Sequence, residues 1–343
     1  MNQVLIKSTC ALVLVTLLGW LLHVGRPVVV PIAFGIIAAY VIFGLADLLR
    51  RIPYVGDRMR AGVRYTIAVS LMLFAVYLSV NLLLADKDRL IAVAPMYEAT
   101  LLTLLTKFAA ILHIETEASW TAIRRDLLAS VNVQSLITST LSSVSSLLAT
   151  IVVVLLYTAF FLIEHTKFRR KLVRFAAGSP RVVSVIDEIN AKIGTYLALK
   201  ALLGMILGVL SWICMRFVGL EFAELWAVLI GLLNFIPYAG SMISVVVPTL
   251  LTALQFGQFG EAMLVFITLT LINFVIGHLV DPWLMGGSLN LSPAVILVSL
   301  AVWSSIWGVA GAFLAVPITA ALIIAFSAFG STRRFAELIT NDD

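Results

Sequence analysis

The chain has 343 residues, 62% of them hydrophobic and only 12% charged, and its mean hydropathy is +1.09. A soluble domain carries about twice that share of charge, so the composition excludes a soluble globular protein and places most of the chain in lipid. The formal charge of +5 is no sign of a nucleic-acid partner, because basic residues collect on the cytoplasmic side of membrane proteins anyway.

Eight apolar segments are each long enough to span, near 8–25, 28–49, 63–85, 143–164, 196–218, 223–254, 259–281 and 292–326. The first follows Lys7 and has no small-x-small cleavage site after it, so it reads as a retained helix, not a removed signal peptide. Cys10 and Cys214 both lie inside apolar runs and read as small buried hydrophobes, neither a disulfide nor a metal site. With both termini inside, 16 of the 23 lysines and arginines fall on inner segments. These include five arginines from Arg50 to Arg64 and eight basic residues from Lys167 to Lys200.

Segment 86–142 is the one sizeable extramembrane piece. Leu101, Leu104, Leu105, Phe108, Ile111 and Leu112 make one helical stripe, and Trp120, Ile123, Leu127 and Val131 a second. Two amphipathic helices on the outer surface are expected, acting as a lid, an oligomer contact or a structural cap. Thr138–Ser146 runs without a breaker into the fourth span. The basic stretch from Lys167 to Phe175 reads as a loop anchored on anionic headgroups. After Gly178-Ser179-Pro180, residues 181–192 suggest a separate amphipathic connector helix. The fifth span carries Gly204-x-x-x-Gly208, a spacing for close helix approach within the chain.

The sixth and eighth segments are too long for one straight span, and both are broken. The sixth breaks across Asn234, Pro237, Tyr238, Gly240 and Ser241, and the eighth across Trp307, Gly308 and Gly311. Each then meets a further proline, Pro248 or Pro317. Unwound backbone at membrane depth survives only inside protein or facing water. Paired broken helices point to a transporter's binding site, or else are kinked or re-entrant helices without a ligand. In the seventh span Asn273, Gly277 and Asp281 share a helix face, and His278 lies three residues before Asp281. A carboxylate in lipid is costly, so Asp281 reads either as a proton or cation carrier with His278 or as an interfacial cap. Asp47, Glu164, Arg216, Glu221 and Glu224 read as interfacial anchors. The chain contains no G-x-x-x-x-G-K-[ST], H-E-x-x-H or G-x-S-x-G, so catalytic residues, a metal and a cofactor are not expected.

Asn234-Phe-Ile-Pro237-x-x-Gly240-Ser241 resembles the N-[FY]-I-P-x-x-G-[SP] signature of the autoinducer-2 exporter family. Asp281-Pro282-x-x-Met285-Gly286-x-Ser288-Leu289-x-Leu291-Ser292-Pro293 is similar to that family's [DE]-P-x-x-[ML]-G-x-x-L-x-L-S-P motif, and Leu199-Lys200-Ala-Leu-Leu-Gly204 and Leu314-Ala-Val-Pro317 also match. The likeness is strong over residues 190–326. Here Asp281 replaces a usual glutamate, Trp283 a common basic residue and His278 a common asparagine. The resemblance implies an all-α, polytopic inner-membrane protein that exports a small polar solute such as autoinducer-2. It also implies a homo-oligomer, with a pentamer suggested. Sodium or lithium exchange for protons is the alternative within the family, and a scaffold or sensor without transport is the alternative outside it. On this reading residues 1–85 form three N-terminal spans, 86–142 the outer insert, 143–195 the fourth span and connector, 196–327 the transport core, and 328–343 a cytoplasmic tail. Asn234, Tyr238, Ser241 and Asn273 would hydrogen-bond solute. Pro237, Gly240, Trp307 and Gly311 would mark where backbone groups are freed. Asp281 and His278 would carry the coupling ion.

Overall fold

A computed structural model describes residues 2–52, 59–111, 144–175, 180–285 and 291–328. Among these residues every regular element is a helix. In order they are α1 (Asn2–Val24), α2 (Arg26–Arg50), α3 (Ala61–Ala85), α4 (Lys87–Ile111), α5 (Val144–Phe175) and α6 (Pro180–Val218). Then follow α7 (Ala223–Leu233), α8 (Ala239–Phe256), α9 (Phe259–Phe274), a π turn (Val275–Val280), α10 (Asp281–Met285), α11 (Pro293–Trp307) and α12 (Val309–Ser327). Seven of the described helices are long and apolar enough to cross a bilayer, and three shorter apolar ones accompany them. This is an all-α, polytopic membrane protein.

The helices start and stop close to where apolar runs begin and end. Two connections differ from expectation. The basic stretch after Lys167 is no loop: α5 continues helically to Phe175, because nothing before Gly178 breaks it. Residues 181–192 are not a separate connector either. They form the first turns of α6, which runs 39 residues without a break. An i,i+4 pair, Glu188 with Lys192 at 2.8 Å, supports that polar beginning. The second amphipathic helix of the insert, the glycine pair at 286–287 and the tail lie outside the described residues.

The chain packs as two compact units, residues 1–69, 150–199 and 285–343 in the first and 70–149 and 200–284 in the second. The expected core, 196–327, is thus shared between them. In the first unit α11 and α12 fold back on one another. Gly308 makes the turn with φ +65° and ψ −140°, a region open to glycine and costly to other residues. Trp303 Nε1 donates to Thr319 Oγ1 at 3.1 Å across the pair, and Ser292 caps the start of α11 by accepting from Val295 N.

The second unit contains the other interrupted segment, and it too folds back on itself. At the last turn of α8, Gln255 Oε1 accepts from Glu221 N at 2.8 Å, and Gln255 Nε2 donates to Gly219 O at 2.9 Å. Both partners precede α7. The beginning of α7 and the end of α8 are therefore neighbours at one end of the unit, and the pair forms a helical hairpin. With 11 residues, α7 reaches only about 16 Å at 1.5 Å per residue, roughly half a hydrocarbon core, while the 18 residues of α8 reach about 27 Å.

Candidate functional site

The tip of this hairpin is the stretch Asn234–Tyr238. It follows the apolar helix α7, and Pro237, which has no N–H to give, ends helical bonding there. The reversal is tight. Ala239 N bonds Pro237 O at 2.6 Å across Tyr238, which sits at φ +60° and ψ −61°. That is a γ turn, a strained geometry for a side chain with a Cβ, worth about 1–3 kcal/mol. Gly240 is buried against the Leu233 carbonyl, where a Cβ would collide. Ser241 Oγ donates to Tyr238 O at 2.9 Å, and the Tyr238 ring is 51% exposed.

The hairpin is seated on α6 by small residues. A Cβ on Gly204 would lie 2.5 Å from Gly231 O, and one on Gly208 2.8 Å from Ala227 O. The Gly-x-x-x-Gly pattern thus serves packing within the chain, as its spacing suggested. Close approach there brings Asn234 to the backbone of the same helix, where Nδ2 donates to Lys200 O at 3.3 Å.

Lys200 is the functional residue that the sequence hid. Its position at the polar edge of an apolar run made it one more inner basic anchor. It is instead 8% exposed, and its ammonium donates to Asp281 Oδ2 at 2.6 Å. Two buried, opposite charges hold only if each satisfies the other. Asp281 Oδ1 is also buried and has no hydrogen-bond partner among the described residues. One carboxylate oxygen is committed and the other is available to a proton or a hydroxyl.

The expected partnership of Asp281 with His278 gives way to this pair. The π turn over Val275–Val280 replaces the α geometry on which an i,i+3 contact depends. The His278 ring stacks on Phe274, with centroids 4.8 Å apart. Asn273 is used to clasp neighbours. Ser244 Oγ reaches Asn273 Oδ1 at 3.2 Å, and Asn273 Nδ2 donates to Leu269 O at 2.9 Å. Trp307 and Gly311 belong to the first unit, and the other eight expected residues to the second. Trp307 Nε1 donates to Leu22 O at 2.9 Å, and Gly311 is packed against the Trp303 carbonyl.

The open end of the hairpin is capped by α4. Arg89 lies over the Phe222 ring, 5.7 Å from its centroid. Leu104 packs with Ala253 and Ala262. Tyr97 is buried beside Glu221, and its phenol is pushed up to about 12, first by burial and then by the charge of Glu221 and the hydrogen bond to it. One helix of the insert is therefore a structural cap on this unit. Of the expected anchors, Arg216 and Glu224 face each other at 4.0 Å.

Three separate motif stretches, around Lys200, Asn234 and Asp281, thus meet at one buried ion pair. The sequence profile described as "AI-2E family transporter" matches residues 10–330. The chain belongs to the AI-2E transporter family. The chain is 29% identical to "AI-2 transport protein TqsA" of Escherichia coli K12 over 300 residues, 84% of this chain and 85% of that one. It is 28% identical to the E. coli K12 protein named "Putative transport protein YhhT" over 304 residues, 87% and 84% of the two chains. A Borreliella burgdorferi protein, also named a transport protein, is 34% identical over 174 residues, covering 50% and 48%.

Proposed function

We propose that this AI-2E transporter exports a small polar solute, of the kind TqsA is named for, across the bacterial inner membrane, and that it has no enzymatic role. The observation that carries the reading is that the hairpin tip, through Asn234, rests on the backbone of Lys200, whose ammonium is paired with Asp281. Hairpin tips of this kind give backbone groups and polar side chains to a solute at membrane depth. Asn234, Tyr238 and Ser241 stand there. Asn273 acts one turn away by holding α9 to α8.

The charged pair supplies a way to couple. Protonation of Asp281 would neutralise the carboxylate and free the Lys200 ammonium, and the unpartnered Oδ1 gives the proton a place to go. His278 contributes by access to this carboxylate and not by direct bonding. Both termini lie inside. On this reading neither folded-back segment, α7–α8 or α11–α12, crosses, and the loops this moves to opposite sides, 257–258 and 282–292, contain no lysine or arginine, so the charge bias that sets orientation is unchanged.

Uptake and efflux of autoinducer-2 in proteoliposomes test this, run with and without a pH gradient. Gradient-dependent flux that fails in Asp281→Asn and in Lys200→Met, but survives in His278→Ala, supports proton-coupled export through the pair. Gradient-independent flux that survives in Asp281→Asn leaves a facilitator. Sodium-dependent proton movement without solute flux in the same vesicles would replace export with cation/proton antiport.

A further inference from the structure

The first unit contains a cavity of about 910 Å³ that the export reading leaves unused. It is large enough for a small organic molecule, since ligand pockets run from about 300 to 1,000 Å³. It lies where α2 ends, α3 begins, and α5 and α6 bring their polar ends together. Packing makes the space. Gly35 presses α2 onto α5, where a Cβ would lie 2.7 Å from Tyr157 Cβ, and Gly44 presses it onto α6, 2.6 Å from Gly194 O. Between these contacts Tyr40 props α2 from α6 by donating its hydroxyl to Asn190 Oδ1.

The lining has two chemistries. One wall is aromatic: Phe43 meets Tyr65 edge to face at 5.9 Å and His165 at 4.6 Å between centroids. Much of the remaining lining is aliphatic, and its charged groups are mainly acidic. Asp47, Glu164 and Asp187 line the cavity, against one guanidinium among the described residues, that of Arg51. Asp47 and Glu164 make no ion pair or hydrogen bond among the described residues, so their charge faces the space. An excess of carboxylate repels anions. Among the described residues no three acidic, histidine or cysteine side chains gather closely enough to hold a metal ion. Carboxylates without a metal cluster, around a cavity of molecular size, suit a cation with its own apolar volume. Aromatic faces beside carboxylates are the pairing that recognises alkylated ammonium groups.

We propose that this cavity binds a small organic cation, its ammonium group held between the Asp47 and Glu164 carboxylates and its alkyl groups against the Phe43–Tyr65 wall. This goes beyond the export reading and is independent of it, because it is read by binding and not by flux. The test uses the full-length protein in lipid nanodiscs with radiolabelled choline as the probe. The competitor is 3,3-dimethylbutan-1-ol, which has the same shape without the charge. Saturable choline binding is expected, with the neutral isostere at least about tenfold weaker. Asp47→Asn and Glu164→Gln should each weaken choline by about tenfold, as loss of one close charge contact does. Phe43→Leu should weaken it by a few-fold. Equal competition by the neutral isostere overturns the proposal, as does choline binding indifferent to both carboxylate variants. If a variant fails to fold, the comparison of choline with its isostere on the unmodified protein still decides.

Discussion

Gln255 holds the backbone of Glu221, 34 residues earlier, through its side-chain amide. The end of α8 is thereby tied to the beginning of α7, and the segment begins and ends at one place. Gln255→Ala removes this bond and the one to Gly219, each worth about 1 kcal/mol. The variant should lose about 2 kcal/mol of stability in detergent. Amide hydrogen exchange should rise at residues 219–222 before it rises in α6. Exchange that rises equally everywhere would mean that the clasp is not local.

Lys200 and Asp281 are worth most as a pair. Lys200→Met leaves a buried carboxylate alone and should destabilise the protein by about 3–5 kcal/mol. The double variant Lys200→Met/Asp281→Leu should recover most of that loss, because neither charge then remains uncompensated. Its thermal midpoint should approach that of the unmodified protein while gradient-driven solute flux stays absent. A double variant as unstable as the single one would show that the pair is not coupled.

Gly204 and Gly231 meet backbone to backbone, so the seat of the hairpin admits no side chain. Gly204→Leu should overpack it by about 1–3 kcal/mol or more. An equally large residue at Gly62, where a Cβ meets nothing, should be nearly neutral. Thermal unfolding of the two variants side by side measures the difference.

Tyr97 makes the cap sensitive to alkali. Its phenol is held up to about 12, against 10.0 for a free tyrosine. The fold therefore favours the neutral form, and this contribution is whole below pH 10 and lost as the pH climbs through about 12. Stability should fall over that window. Tyr97→Phe should flatten the fall, as melting curves collected from pH 9 to 12 would reveal.

Tyr238 carries strain that glycine would release. Tyr238→Gly should hold or raise the melting temperature, because a positive φ costs glycine little. Solute flux should nevertheless drop, since the exposed phenol at the hairpin tip is gone. A variant with lower stability and intact flux would reverse both roles.

Hydropathy announced nearly every helix, because a run of apolar residues must be buried whatever its partners. It also announced both interruptions, since proline and glycine act on the backbone beneath them. It could not announce direction. An apolar run of the length 223–254 reads the same whether it crosses or turns back, and Gln255 looks like any polar residue at an interface. Lys200 was hidden for a related reason: its partner is 81 residues away, and a lysine at the edge of an apolar run ordinarily reaches for water. His278 misled because three residues of separation mean contact only on an unbroken α-helix. The cavity was out of reach of pattern altogether, since Asp47, Glu164 and Asp187 arrive from three different helices.

The π turn before Asp281 is a helix holding one residue more than its α-helical room allows. Such a surplus sets a phase. Everything beyond it is turned by one residue's worth of rotation, about 100°, and Asp281 is the next residue in line. Wound as a plain α-helix, the same sequence would carry the carboxylate one residue's rotation further round and off Lys200. The match between acid and amine is thus a matter of angular bookkeeping along one helix, set by an insertion that chemistry alone would not reveal.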